Sequence, residues 1–236
     1  MITGTVWLVK LLTAHLLTDF VLQPASWVED RNHKHFASSK LYWHVLLTAA
    51  VAYLLIGWSY WIVALVILVS HLLIDGWKSY QPQRTRYFLT DQALHLAVIA
   101  GCWWFSFPNG KALGEIVNQW SVEPHHWVLV AAFVFVTSPA GILIGQLTQQ
   151  WSRKIDDADN SLANAGKWIG IAERIIVLIL VLQNQYSAIG LLVAAKGIIR
   201  FGEKDRQEIK TEYLVIGTLL SIGMAIITGL LVKWAD

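Results

Sequence analysis

The stretch SYWIVALVILVSHLLIDGW, Ser59–Trp77, decides the fold class. It is apolar almost throughout, and as a helix rising ~1.5 Å per residue it covers a ~30 Å hydrocarbon layer. Two ionisable side chains interrupt it, His71 and Asp75. A charge at the centre of a bilayer costs at least ~2.5–3.5 kcal/mol, and less near the interface, so such residues need a reason to be there.

Working outward, seven more segments of the same kind appear. The eight candidate spans are Thr3–Gln23, Leu41–Gly57, Ser59–Trp77, Phe88–Phe107, His126–Gln149, Gly166–Asn184, Tyr186–Arg200 and Tyr213–Trp234. Helices are expected, because a single segment in lipid must satisfy its own backbone. The predicted class is therefore all-α, a polytopic transmembrane helix bundle. The seventh span is short, which suggests a tilted or re-entrant segment. The second and third are joined by almost nothing, which predicts a tight hairpin. Composition agrees: 56% of the 236 residues are hydrophobic and 14% charged, against about 25% charged in a soluble domain. Trp27, Trp43, Trp58, Trp77, Trp127, Trp151 and Trp234 stand where apolar blocks meet polar loops, the aromatic-belt position. The first block carries His15 and Asp19 and lacks a basic leader, so its pattern is not that of a cleavable signal peptide.

Loop charges orient the bundle. Arg31, Lys34 and Lys40 fall in loop one, and Lys78, Arg84 and Arg86 in loop three. Arg153, Lys154 and Lys167 fall in loop five, and Arg200, Lys204, Arg206 and Lys210 at loop seven. These are 13 of the 18 Lys and Arg residues, whereas the even loops hold only Lys111. The positive-inside rule makes the odd loops cytoplasmic and puts both termini on the outer side. Loop five, Trp151–Ala165, is polar and divides the chain into a five-span part, 1–150, and a three-span part, 151–236. Its Asp156, Asp157 and Asp159 lack calcium-loop spacing and read as a solvated linker. No Lys/Arg run resembles a nucleic-acid patch. Cys102 is the only cysteine, which excludes an internal disulfide and a cysteine-based zinc motif. It reads as packing.

The ionisable residues form a pattern. His15-Leu-Leu-Thr-Asp19 and His71-Leu-Leu-Ile-Asp75 share the motif HLLxD in the first and third spans. Asp91-Gln-Ala-Leu-His95 reverses the order in the fourth, and His44 opens the second. Residues four apart share a helix face, so each pair offers an imidazole and a carboxylate to one point. Those are ligands for zinc and other first-row metals. On the topology above, His15 lies about 12 Å from the cytoplasmic end of its span, His71 about 9 Å and His95 about 10 Å, with the others shallower. All seven side chains therefore fall in one slab of the inner leaflet. Interhelical His–Asp packing is the competing reading. Three pairs and a fourth histidine at one depth are more than packing needs. The repeated HLLxD, followed by Gln23-Pro24 and Gln81-Pro82, also suggests a parallel repeat in the first four spans.

The second part has charges of its own: Glu173-Arg174, Lys196 and Glu212. A Glu173–Lys196 ion pair between neighbouring helices is expected, since opposite charges in lipid must pair. Gly217 and Ser221, four apart, form a small-residue contact surface.

The HLLxDFxLQP opening, the second HLLxD followed by Lys78, and Phe88, Asp91-Gln92 and His95 resemble the bacterial membrane family catalogued as domain of unknown function 3307. Gly166-Lys-Trp-Ile-Gly170 with Glu173-Arg174, Ala195-Lys196 with Arg200-Phe201, and Glu212-Tyr213 with Ile216-Gly217-Thr218 and Ser221 are similar to the second part of its longer members. The resemblance implies a bacterial inner-membrane location and no particular activity. The His/Asp pattern more distantly resembles inner-membrane proteins labelled as metal-dependent hydrolases, in ligand type and helix placement but with different order and spacing.

The first functional expectation is a metal-dependent hydrolase at the cytoplasmic leaflet, acting on a lipid or lipid-linked ester or phosphoester. Its cofactor would be a divalent metal, zinc by ligand type, or two metals. His15, His44, His71 and His95 would ligate with Asp19, Asp75 and Asp91, one carboxylate being left as general base. Arg84 and Arg86 would hold a phosphate headgroup. The alternatives are a transporter of metal ions or protons, which the apolar outer halves of the first four spans disfavour, and a structural membrane protein.

Overall fold

The computed structural model describes residues 4–107, 125–152, 160–201 and 208–235, and these are helical with short turns. The acidic cluster of loop five and the Lys111 loop lie outside them, as do Lys204 and Arg206. The chain divides into a first unit, Met1–Val134 with Ala235–Asp236, and a second, Phe135–Trp234.

The first unit is built on α1 (Gly4–Phe20), α3 (Ser39–Ile56), α4 (Trp61–Ser79) and α5 (Thr85–Ser106). α1 packs on α3 and α5, α3 on α4, and α4 on α5, so the four close into a ring. Gly57 makes the tight α3–α4 turn at φ +102, a conformation open to glycine and costly for other residues. α4 shows why the ring forms. Val63, Ile67, His71 and Asp75 recur every four residues and are buried, while Trp61, Ile62, Leu65, Val66, Val69 and Leu73 are exposed. That is the reverse of a water-facing helix, whose polar face points outward. Toward the end of the ring away from Asp75, Trp7, Ile56, Ile99 and Trp103 belong to an apolar core, with Tyr60 and Phe107 against Trp7.

One element was not expected. Loop one contains α2 (Ala25–Lys34), continuing through a 3-10 turn at His35–Ala37 and bent by 78° from α1. The turn at its end puts His35 at φ 52. His35 stacks on Tyr80 at 3.9 Å between ring centroids, and its Nδ1 lies 3.0 Å from Ser79 Oγ. The Ser38 hydroxyl donates to Asp30 at 2.6 Å. α2 is thus pinned against α4 and the start of α3.

The expected span His126–Gln149, which runs from the first unit into the second, is broken. α6 (His125–Val136) ends at Thr137 and α7 (Ser138–Leu147) leaves at 45°. Pro139 stands at the start of α7 and has no N–H to continue the helix. The four-residue α8 (Gln149–Ser152) follows, then α9 (Asn160–Leu182), α10 (Tyr186–Phe201) and α11 (Glu208–Trp234). α9 and α11 form the main packing pair, around Val177, Val181, Ile222 and Ala225.

The all-helical class holds. Among the described residues, three helical segments are long and apolar enough to cross a membrane: Ser39–Ile56, Trp58–Ser79 and Tyr213–Trp234. The number rises to five if α1 with the α2 segment, and α6 with α7, each count as one span. Eight straight spans are not what length and apolarity alone support. α5 carries Arg86, Asp91, Gln92 and His95, and α9 carries Lys167, Glu173 and Arg174, so polar residues dilute both. Tyr186–Ile198 is a shorter apolar helix.

Candidate metal centre

All seven predicted residues come together inside the ring. α1 contributes His15 and Asp19, α3 His44, α4 His71 and Asp75, and α5 Asp91 and His95, the i,i+4 spacing turning each pair inward. The His71 and His95 rings are 4.0 Å apart between centroids, His15 and His95 5.2 Å, and His44 and His71 5.2 Å. His15, His44, His71, Asp75, Asp91 and His95 are buried, and Asp19 is nearly so, with its side chain 8% exposed.

The carboxylates knit the histidines. Asp19 Oδ1 is 3.1 Å from His71 Nε2 and 3.6 Å from His44 Nε2, and its Oδ2 is 3.5 Å from His15 Nδ1. Asp75 Oδ2 is 3.4 Å from His44 Nε2. Asp91 Oδ1 stands 3.9 Å from His95 Nδ1, and its side chain is the most exposed of the three carboxylates at 10%.

Gln92 ties α1 to α5. Its amide nitrogen donates to Asp91 Oδ2 at 3.2 Å, and its carbonyl oxygen lies 3.2 Å from His15 Nε2. With that nitrogen donating and the ring neutral, His15 Nδ1 presents a lone pair to the cluster. No role for Gln92 follows from sequence beyond its place between two site residues.

The cation that reaches the cluster is Arg31 of α2. It is 7% exposed, and its Nη1 lies 2.8 Å from Asp75 Oδ2. Arg84 and Arg86, expected to serve the site, are exposed at the start of α5, and Arg86 Nη2 donates to Tyr87 OH at 2.9 Å. Neither makes an ion pair with a cluster residue among the described contacts. Both side chains are exposed at the α5 entry, whereas α2 carries Arg31 inward.

Five ring nitrogens in this cluster are buried without a hydrogen-bond partner among the described residues: His15 Nδ1 and both nitrogens of His44 and of His95. Buried polar atoms left unpaired cost roughly 1–3 kcal/mol each; three of these five, His15 Nδ1, His44 Nε2 and His95 Nδ1, stand 3.4–3.9 Å from a carboxylate oxygen, beyond hydrogen-bond geometry. Three triads offer ligand atoms within 4.8 Å of one another: His15, His71 and His95; Asp19, His44 and His71; and Asp75, Asp91 and His95. A small cavity borders the histidines, lined on its other side by Leu11, Ile67 and Val98.

In the second unit, Lys196 Nζ meets Glu173 Oε2 at 2.5 Å, the pair expected from sequence. Arg174 has a task that sequence did not reveal. Its Nε donates to the Val136 carbonyl at 2.6 Å and its Nη2 to that of Thr137 at 2.8 Å, capping the broken end of α6. A Cβ on Gly141 would stand 3.1 Å from Arg174 Nη2, so glycine there gives the guanidinium room.

These features define an all-helical protein with helices long and apolar enough to cross a membrane and a buried His/Asp cluster in its first unit. Its family is the one described as protein of unknown function, DUF3307, whose model matches residues 7–123, the stretch that carries the whole cluster. No curated protein and no solved structure matches the chain.

Proposed function

We propose that the first unit is a metal-dependent hydrolase, acting at the cytoplasmic leaflet of a bacterial inner membrane on a lipid or lipid-linked ester or phosphoester. The observation that carries this reading is the packing of four buried histidines among three carboxylates, with five ring nitrogens that make no hydrogen bond among the described residues. Charge supports it too. Three aspartates against Arg31 and the partly buried Lys78 leave the site net negative when the histidines are neutral, which favours a bound cation.

His15, His44, His71 and His95 would supply nitrogen ligands to a divalent metal, zinc by ligand type, and Asp19 and Asp75 oxygen ligands. Such an ion, when bound, polarises an ester or phosphoryl oxygen and acidifies water. Gln92 fixes the His15 tautomer, and Asp19 orients the His71 ring. Asp91 is the least engaged carboxylate and the most exposed, so it is assigned as the general base that takes a proton from the attacking water. The membrane arrangement belongs to the same proposal. All eight segments cross or enter the bilayer, with both termini outside, which the 13 odd-loop cations against Lys111 support. The second unit acts as a supporting bundle.

The test is metal analysis of the full chain purified in detergent, followed by hydrolysis assays in lipid nanodiscs. The assays use a fluorogenic lipid ester and a phosphatidate with a phosphate-release readout. About one divalent ion per chain, with hydrolysis abolished by a chelator and by Asp91→Asn, is expected. Protein that takes up no metal from buffered zinc or manganese sinks the proposal.

A further inference from the structure

We propose that Arg31 forms an anion-binding subsite at this centre, with Lys78 beside it, and that the group bound next to the metal ligands is a phosphate. This rests on the metal-centre reading above and narrows its substrate class from esters in general to phosphorylated compounds.

Arg31 enters the cluster from α2, outside the ring of four helices, and is 7% exposed. Only Nη1 is committed to Asp75, at 2.8 Å. Nε is buried with no hydrogen-bond partner among the described residues. A guanidinium offers five N–H donors in a planar fork that matches a phosphate's oxygens, so a buried Arg with an unused donor retains capacity for an anion. An arginine present only to neutralise Asp75 would bind it through two parallel N–H groups, the geometry that Arg–carboxylate pairs favour.

Lys78 lies three residues after Asp75 on α4, which places it on the same side of the helix one turn on. It is partly buried, and its Nζ is 5.9 Å from the centre of the Phe88 ring. Along α4 the order is therefore His71, Asp75 and Lys78, and Arg31 meets that row at Asp75. The subsite is also held in place. α2 is fixed by the Ser38–Asp30 hydrogen bond and the His35–Tyr80 stack, so Arg31 needs little ordering when an anion arrives.

The experiment titrates inorganic phosphate into the zinc-loaded full chain in detergent and reads the melting temperature. Wild type is compared with Arg31→Lys and Lys78→Met, and zinc content is measured for each. Arg31→Lys keeps the charge and loses the fork. The expected result is a phosphate-dependent rise for wild type. Apparent affinity falls about tenfold or more in Arg31→Lys, the weight of one charge-assisted hydrogen bond, and falls also in Lys78→Met, with zinc unchanged. Phosphate affinity equal to wild type in either variant overturns the subsite and leaves the metal centre standing. Wild-type protein that binds zinc but shows no phosphate response overturns it as well. Wild-type protein that takes up no zinc overturns the centre and the subsite together. Nanodiscs with phosphatidic acid, compared with phosphatidylcholine alone, identify the source. Competition with free phosphate by phosphatidic acid supports a lipid headgroup, and its absence supports a soluble phosphate at the same subsite.

Discussion

Arg31 and Asp75, which lie on α2 and α4, meet as an ion pair at 2.8 Å with both side chains buried. The contact joins α2, which stands outside the ring, to the centre of the ring. Replacing Asp75 by Asn leaves the guanidinium buried without its counter-charge. Such a change costs about 3–5 kcal/mol, and Asp75→Asn is expected to melt well below wild type. Thermal unfolding in detergent checks this, and a variant as stable as wild type would show that α2 is held by its other contacts alone.

Gln92 makes a separate prediction. It touches Asp91 and His15 but is not itself a ligand, so Gln92→Ala should fold normally while zinc affinity falls about 10–100-fold. Competition with a zinc chelator measures this. Affinity equal to that of wild type would mean that the His15 tautomer is set by something else.

The two units should separate in their responses. His71 belongs to two of the three triads, so His71→Ala is expected to lose metal and remain folded. Glu173→Ala strands Lys196 and should lower the melting temperature with metal content per folded chain unchanged. Metal stoichiometry and melting of both variants decide it. The division of labour is backwards if Glu173→Ala strips metal while His71→Ala retains it.

The clustering of the seven His and Asp side chains was legible because HLLxD and DxxxH repeat at four residues, and four residues return a helix to one face. Three helices with such faces, and α3 with His44, must bury them together when lipid surrounds the bundle. Two features were hidden for different reasons. Arg31 sits in the polar run ASWVEDRNHK and reads as one more cytoplasmic loop charge, because no periodicity marks a ten-residue helix that owes its seat to tertiary contacts. The break at Thr137 did have a signal. Pro139 interrupts the apolar run, and a proline at the first turn of a helix commonly marks a new start. The Arg174 cap then follows from the carbonyls such a break leaves unpaired.

Orientation is open to direct labelling. With Cys102 replaced by Ala, a single cysteine at Asn118 should react with a membrane-impermeant maleimide added outside intact cells, and one at Asn32 only after permeabilisation. The 13-to-1 charge asymmetry predicts this pattern. Labelling of Asn118 from the inside alone would overturn both the orientation and the inner-leaflet placement of the centre.

The apolar packing of Trp7, Ile56, Ile99 and Trp103, with Tyr60 and Phe107, has an electrical consequence. In a bilayer it would make the ring a well with a single mouth. An ion or proton arriving at His71 would leave by the way it came, and no net charge would cross the membrane in a cycle. A full crossing couples each elementary charge to about 2.3 kcal/mol per 100 mV. A cycle that returns its charge to the same side draws no net work from that potential, so the proposed chemistry would have to run on its own free energy, although a charge held part-way across still feels a fraction of the field.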